Sequence, residues 1–195
     1  MTPVAAKTCA VDAKTKAKKP KQVVVVRSKG ARATIKACTR TSSGRYVISY
    51  GPYNGYVGRN GVGSKREGDG RTPSGLYRLR GGFGYDKNPG VKFSWFKTDS
   101  RDRWVDDSRS RYYNLRMRTP VNGRWKSAEK LRIPAYKYAQ VIGYNEKRTP
   151  GKGSAIFLHV SNGRGTAGCV SLSRTSLLKI LRWQKPGAYI SIKRA

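Results

Sequence analysis

Short apolar runs divided by turn residues set the pattern of this chain. Val23-Val24-Val25-Val26, Thr34-Ile35-Lys36-Ala37-Cys38 and Tyr46-Val47-Ile48-Ser49-Tyr50 are rich in β-branched residues and separated by Gly and Ser, which predicts a β-meander. Leu76-Tyr77-Arg78-Leu79 and residues 139–144, 155–160 and 188–192 predict further strands. Helical spacing is convincing once: Leu177, Leu178, Ile180 and Leu181 share a face, Ser173 can cap it, and Pro186-Gly187 can stop it. The pattern predicts a mainly β fold with one helix directly after Cys169. Residues 1–21 are mostly Ala, Lys, Thr and Pro without apolar periodicity, so they read as a basic flexible tail or linker. The compositional break at Gln22 opens a single domain over residues 22–195. Residues 81–129 read as irregular and aromatic, their rings used for core and loop packing. No internal repeat is found.

Composition changes this picture in one respect. At 37% hydrophobic residues the chain can bury a core, but 42 Lys and Arg stand against 10 Asp and Glu, a net charge of +32. A field of that size favours a polyanionic partner: nucleic acid, an anionic cell-wall polymer or an acidic membrane surface. Basic residues interleaved with aromatics also suit single-stranded nucleic acid. Nucleotide-binding loops are excluded, because Gly61-Val62-Gly63 has Arg66 where a third glycine is needed, and no Gly-Lys-Ser/Thr follows a glycine loop. No run of about 18 apolar residues exists to form a transmembrane segment. No signal-peptide core is present either; the opening Met1-Thr2-Pro3 reads as a start re-added after removal of an export signal.

The chemistry concentrates in residues 154–173. The sole histidine of the sequence, His159, follows a short apolar run, and Cys169, one of three cysteines, sits in the small-residue turn Thr166-Ala167-Gly168-Cys169. A thiol becomes a strong nucleophile when an imidazole takes its proton or stabilises its thiolate. Backbone N–H groups in such a turn can face a bound carbonyl oxygen. Glu146 is the last acid in the sequence, so a group orienting His159 from its own neighbourhood must be a backbone carbonyl, a Ser or an Asn.

Thr166-Ala167-Gly168-Cys169-Val170 with a preceding strand histidine resembles the signature of the L,D-transpeptidase catalytic domain, the YkuD-like family. Glu67-Gly68-Asp69-Gly70-Arg71-Thr72-Pro73-Ser74-Gly75 is similar to that family's E-G-D-x-x-T-P-x-G segment. The two blocks lie in the family's order, and the resemblance spans roughly residues 22–195. The departures are Ala167 where the family often has His or Asn, Ser171 where it often has Arg, and a compressed gap after His159. These mark a divergent T-A-G-C branch.

The resemblance implies a β-sandwich of the L,D-transpeptidase type, with Cys169 as the acyl-accepting nucleophile and His159 as its base. The Val160 carbonyl would orient the imidazole, and the Gly168 and Cys169 N–H groups would form the oxyanion site. Thr166 and Tyr144 are the side chains expected to meet substrate. It further implies an exported enzyme of the cell wall or periplasm that cross-links peptidoglycan stem peptides through a cysteine acyl-enzyme. With water as acceptor the same site is an L,D-carboxypeptidase or amidase. The rival from another class is a non-catalytic basic protein that binds polyanions or nucleic acid. No specific nucleic-acid partner and no cofactor are expected. A zinc site would have to consume both proposed catalytic residues, and no C-x-x-C pair exists. Cys9 and Cys38 either pair, pinning the tail to the domain, or remain free thiols.

Overall fold

The computed structural model describes residues 6–195. A short helix, α1 (Ala13–Lys18), leads into β1 (Gln22–Lys29), β2 (Arg32–Arg40) and β3 (Tyr46–Tyr56). The two-residue strands β4 (Val62–Gly63) and β5 (Thr72–Pro73) bracket the glycine-rich stretch, and β6 (Gly75–Gly84) follows. The aromatic region holds β7 (Trp95–Lys97), β8 (Asp102–Val105), β9 (Arg116–Arg118) and β10 (Ala128–Lys130), and then a 3-10 turn, Pro134–Tyr136. The chain continues through β11 (Ala139–Ile142), β12 (Phe157–Val160), β13 (Val170–Leu172), helix α2 (Arg174–Trp183) and β14 (Tyr189–Arg194). The fold is mainly β with one substantial helix late in the chain, as the pattern predicts.

The main sheet runs β11-β12-β13-β3-β2-β1-β14-β6-β7. β6 pairs with β14 through Gly75–Arg78 and with β11 through Leu79–Phe83, so the sheet closes on itself as a barrel-like sandwich. Strand alternation sends Val24, Val26, Leu158, Val170, Leu172, Ile190 and Ile192 into one core, where α2 adds Leu177, Ile180 and Leu181. Each such side chain stabilises by about 1.5–3 kcal/mol. Ser173 caps α2, its hydroxyl accepting from Ser176 N–H at 3.2 Å. The short strand β13 separates Cys169 from this helix in the sequence.

The expectation of a flexible tail needs correction for residues 6–21; residues 1–5 lie outside the described residues. Lys7 and Cys9 exchange backbone hydrogen bonds with Ile48 and Tyr46, at 2.9 and 2.8 Å. Cys9 is bonded to Cys38 as a disulfide. Asp12 caps α1 by accepting from Thr15 N–H at 2.8 Å and also accepts from the Ser191 hydroxyl at 2.7 Å. Burial works to raise the Asp12 carboxyl, but these bonds and Lys193 outweigh it and hold it down to about 2. The physical reason is visible in β1. Val24 and Val26 face the main core, while Val23 and Val25 face a second cluster with Cys9, Cys38, Tyr46 and Tyr189. Four consecutive buried valines need cover on both faces of the strand, and residues 6–21 provide part of it.

The region expected to be irregular is also more ordered than its sequence pattern. β8, β9 and β10 form their own sheet in the order β10-β8-β9. Asp102, fully buried at its centre, accepts from the guanidinium groups of Arg116 and Arg118 at 2.7 and 3.2 Å. Three- and four-residue strands tied by a buried ion pair leave no apolar alternation to read.

Candidate active site

Alternation on two neighbouring strands builds the site. β12 and β13 are parallel, with Leu158 opposite Val170 and His159 opposite Ser171. Leu158 and Val170 point into the main core, so Phe157, His159 and Cys169, at odd offsets from them, share the other face. His159 and Cys169 line one cleft of about 430 Å³. The thiol is buried; Phe157 N–H donates to Sγ at 3.3 Å, and the S–H donates to the Ala155 carbonyl at 3.3 Å. Ala155 holds a left-handed φ of 52°, a strained geometry for a residue with a Cβ. The side-chain oxygen of Asn114 supports it, accepting from Ala155 N–H at 3.1 Å.

The His159 Nδ1 lies 2.8 Å from the Val160 carbonyl oxygen. A carbonyl only accepts, so Nδ1 carries the proton and Nε2 is the basic nitrogen. This is the carboxylate-free orientation that the acid-poor C-terminal sequence requires. Burial pushes the imidazole down to about 4, overriding the opposing bond to Val160. Burial also pushes the Cys169 thiol up to about 12; the Glu129 charge adds to this, against the Phe157 N–H, the Tyr136 hydroxyl and Lys65. Both groups are therefore neutral at neutral pH.

Two threonines fix the cysteine turn. The Thr166 hydroxyl donates to the Cys169 carbonyl at 2.7 Å and accepts from Gly168 N–H at 3.1 Å. The Thr72 hydroxyl donates to the same carbonyl at 3.2 Å and accepts from Gly58 N–H at 2.7 Å. Thr72 belongs to the Glu67–Gly75 block, so the two sequence blocks meet directly beneath the thiol. A Cβ at Gly168 would lie 3.0 Å from the Arg71 carbonyl oxygen and 3.2 Å from the Ile156 and Lys65 side chains, which explains the glycine. The bond to Thr166 occupies the Gly168 N–H expected to serve an oxyanion. Ser171, where the family often has Arg, is buried opposite His159 and its hydroxyl has no partner. The turn is thus held without an arginine.

Tyr144 is not in the cleft. It packs in the main core, edge-on to Tyr77 at 5.5 Å, and its hydroxyl donates to the Lys152 carbonyl at 2.8 Å. In its place stands Tyr136, which sequence reasoning misses. Its ring meets His159 edge-on at 5.2 Å, and its hydroxyl lies against both the Cys169 thiol and the Glu129 carboxyl. Glu129, on β10, is missed as well. Burial chiefly, with the Asp106 and Glu67 charges, lifts its carboxyl to about 7, against a hydrogen bond from Tyr136. Only the small sheet, unread in the sequence, brings Glu129 here. Asp69 orders the other block, accepting from Lys65 Nζ at 2.8 Å and from Arg66 and Arg71 N–H at 2.7 and 2.9 Å.

Residues 16–192 match the family model of the L,D-transpeptidase catalytic domain, YkuD. No curated protein matches the chain. No helix among the described residues is long and apolar enough to cross a membrane.

Proposed function

Because this chain belongs to the L,D-transpeptidase (YkuD) family, we propose that it cross-links peptidoglycan stem peptides through a thioester on Cys169. The observation that carries this reading is the placement of Cys169 and a correctly tautomeric His159 on one face of adjacent strands, in one cleft. Cys169 Sγ attacks the carbonyl carbon of an amide in the donor peptide as its proton passes to His159 Nε2. The tetrahedral oxyanion is met by the Cys169 N–H, the Gly168 N–H being engaged by Thr166. The C–N bond breaks, the leaving amine takes the proton from His159, and the thioester remains. An acceptor amine then attacks the thioester; water in its place gives hydrolysis. A neutral thiol–imidazole pair suits this order, since neither the thiol nor the imidazole carries a charge before substrate arrives.

The enzyme acts at the cell wall or in the periplasm, and its charge of +32 holds it on anionic wall polymers. The test is intact-mass analysis of the protein incubated with defined muropeptides. The expected result is a transient acyl adduct on Cys169, lost in Cys169→Ala, together with a cross-linked product. Hydrolysed product alone would make the enzyme a carboxypeptidase. No adduct, together with tight salt-sensitive binding of DNA, would replace the enzyme reading by the polyanion-binding one.

A further inference from the structure

Three carboxylates line the cleft that holds Cys169: Glu67, Asp106 and Glu129. In a sequence with 42 cations and 10 acids, a carboxylate without a cation is anomalous. Asp12, Asp69, Asp86, Asp99, Asp102 and Glu146 all have ion-pair partners, and Asp107, which has none, accepts from the backbone N–H groups of Arg109 and Lys126. Among the described residues the three cleft carboxylates have none. Glu67 is served by hydroxyls, with Tyr113 and Ser154 donating to it at 2.5 and 2.7 Å. Glu129 and Asp106 are only partly buried and line the cleft, and one oxygen of each, Glu129 Oε2 and Asp106 Oδ1, is buried with no hydrogen-bond partner. Buried acceptors of this kind are rare and destabilising unless a partner arrives.

The cations of the same cleft do not fill this role. Lys65 Nζ is committed to Asp69 at 2.8 Å and to the Arg66 carbonyl at 2.6 Å. Arg59, on the loop between β3 and β4, and Arg164, on the loop between β12 and β13, are exposed. Glu129 and the thiol are bridged by one side chain, Tyr136. The free acceptors therefore lie beside the place where a thioester carbonyl would stand.

We propose that Glu129 and Asp106, backed by Glu67, form a subsite for the primary ammonium group of the acceptor, and that Glu129 takes the proton this group must lose before it attacks. The inference rests on the acyl-enzyme reading above and selects an amine, not water, as acceptor. An ammonium is a compact charge with three donors, which matches carboxylate oxygens that lack donors.

R–NH3⁺ gives one proton to the Glu129 carboxylate and becomes R–NH2. Its nitrogen forms the new bond to the thioester carbon, and the C–S bond breaks. The second nitrogen proton passes through His159 to the departing sulfur, restoring the thiol. Glu129 then returns its proton to solvent. A carboxyl lifted by burial to about 7 is suited to both halves of that exchange at neutral pH.

The experiment follows how the muropeptide acyl-enzyme is divided between acceptors by rapid-quench mass spectrometry at neutral pH. One acceptor is a lysine-containing peptide, present as its ammonium; the other is hydroxylamine, present uncharged. Glu129→Gln is expected to lower the ratio of aminolysis to hydrolysis with the peptide on the order of 100-fold, the scale of a lost general base. The ratio with hydroxylamine should fall far less. Asp106→Asn should act in the same direction and more weakly, and it carries the comparison alone if Glu129→Gln does not fold. An equal loss with both acceptors, or no change in either, overturns the subsite.

A second readout needs no turnover. The lysine peptide should slow iodoacetamide alkylation of Cys169 in the wild type and much less so in Glu129→Gln; no slowing in the wild type also overturns the subsite. If the wild type forms no acyl-enzyme, the transferase reading fails, while the alkylation arm still decides whether the ammonium subsite exists.

Discussion

Burial of His159 and Glu129 in one cleft makes opposite demands on the fold as pH falls. The imidazole is lowered from 6.5 to about 4 by burial. It must be charged in the unfolded chain below its ordinary value but resists charging in the fold. Stability is therefore lost as pH falls from 6.5 towards 4, by about 3 kcal/mol at 1.36 kcal/mol per pH unit. Glu129 is raised from 4.5 to about 7, chiefly by burial. Its charged form is penalised only in the fold, so protonation relieves the fold first. Stability is gained as pH falls from 7 towards 4.5, again by about 3 kcal/mol. Between pH 7 and 4 the two contributions nearly cancel. The perturbation that exposes them is to remove one at a time. In Glu129→Gln the imidazole acts alone, and stability should drop by about 3 kcal/mol between pH 7 and 4 relative to wild type. In His159→Gln the carboxyl acts alone, and stability should rise by a similar amount relative to wild type. The remaining carboxylates, Asp12 among them, contribute equally to all three proteins and drop out of the comparison. Urea unfolding followed by tryptophan fluorescence at several pH values gives the three curves. Parallel curves would refute the reasoning, because they would mean that neither group is desolvated in the cleft.

Thr72→Val keeps the side chain's shape and removes the hydroxyl between Gly58 N–H and the Cys169 carbonyl; it should destabilise by about 1–3 kcal/mol and slow acylation of Cys169, as read by urea unfolding and intact mass. Alkylation of Cys169 by iodoacetamide should keep rising with pH beyond the ordinary thiol value of 9.0, since burial moves that group up to about 12; a plateau at neutral pH would mean a thiolate–imidazolium pair instead of two neutral groups.

The strands and α2 are legible in the sequence because their apolar residues follow the period of a face buried in one core. The Cys169 turn is legible because a lone histidine and a Gly-Cys pair leave few alternatives. What escapes is what depends on a second layer. Val23 and Val25 signal cover on the outer face of β1, but nothing in residues 6–21 says that they supply it. Glu129 reaches the thiol through the β10-β8-β9 sheet, in which Asp102 is bonded to two arginines and whose short strands show no apolar stripe, and Tyr136 through the 3-10 turn that follows it. Tyr144 has the opposite fault: it follows a strand that leads toward the site, but its ring turns into the core. Thr72 stands in a recognised block, yet its bond to a residue 97 positions away has no local signature.

The place of β14 in the closed sheet bears on when the proposed chemistry could begin. This strand comes after both site strands in the sequence, yet it lies between β1 and β6. Without it the sheet opens between β1 and β6. Pairing of such distant segments carries its loop-closure entropy before any contact rewards it, so such topologies fold slowly. During that interval Cys169 and His159 are already neighbours in sequence, but the Thr72 brace and the cleft walls are missing. The nucleophile is then an ordinary thiol, open to oxidation or to pairing with Cys9 or Cys38. Acyl-transfer competence should therefore emerge with the last cooperative event of folding. In a refolding experiment, the first moment at which a muropeptide labels Cys169 marks closure of the barrel.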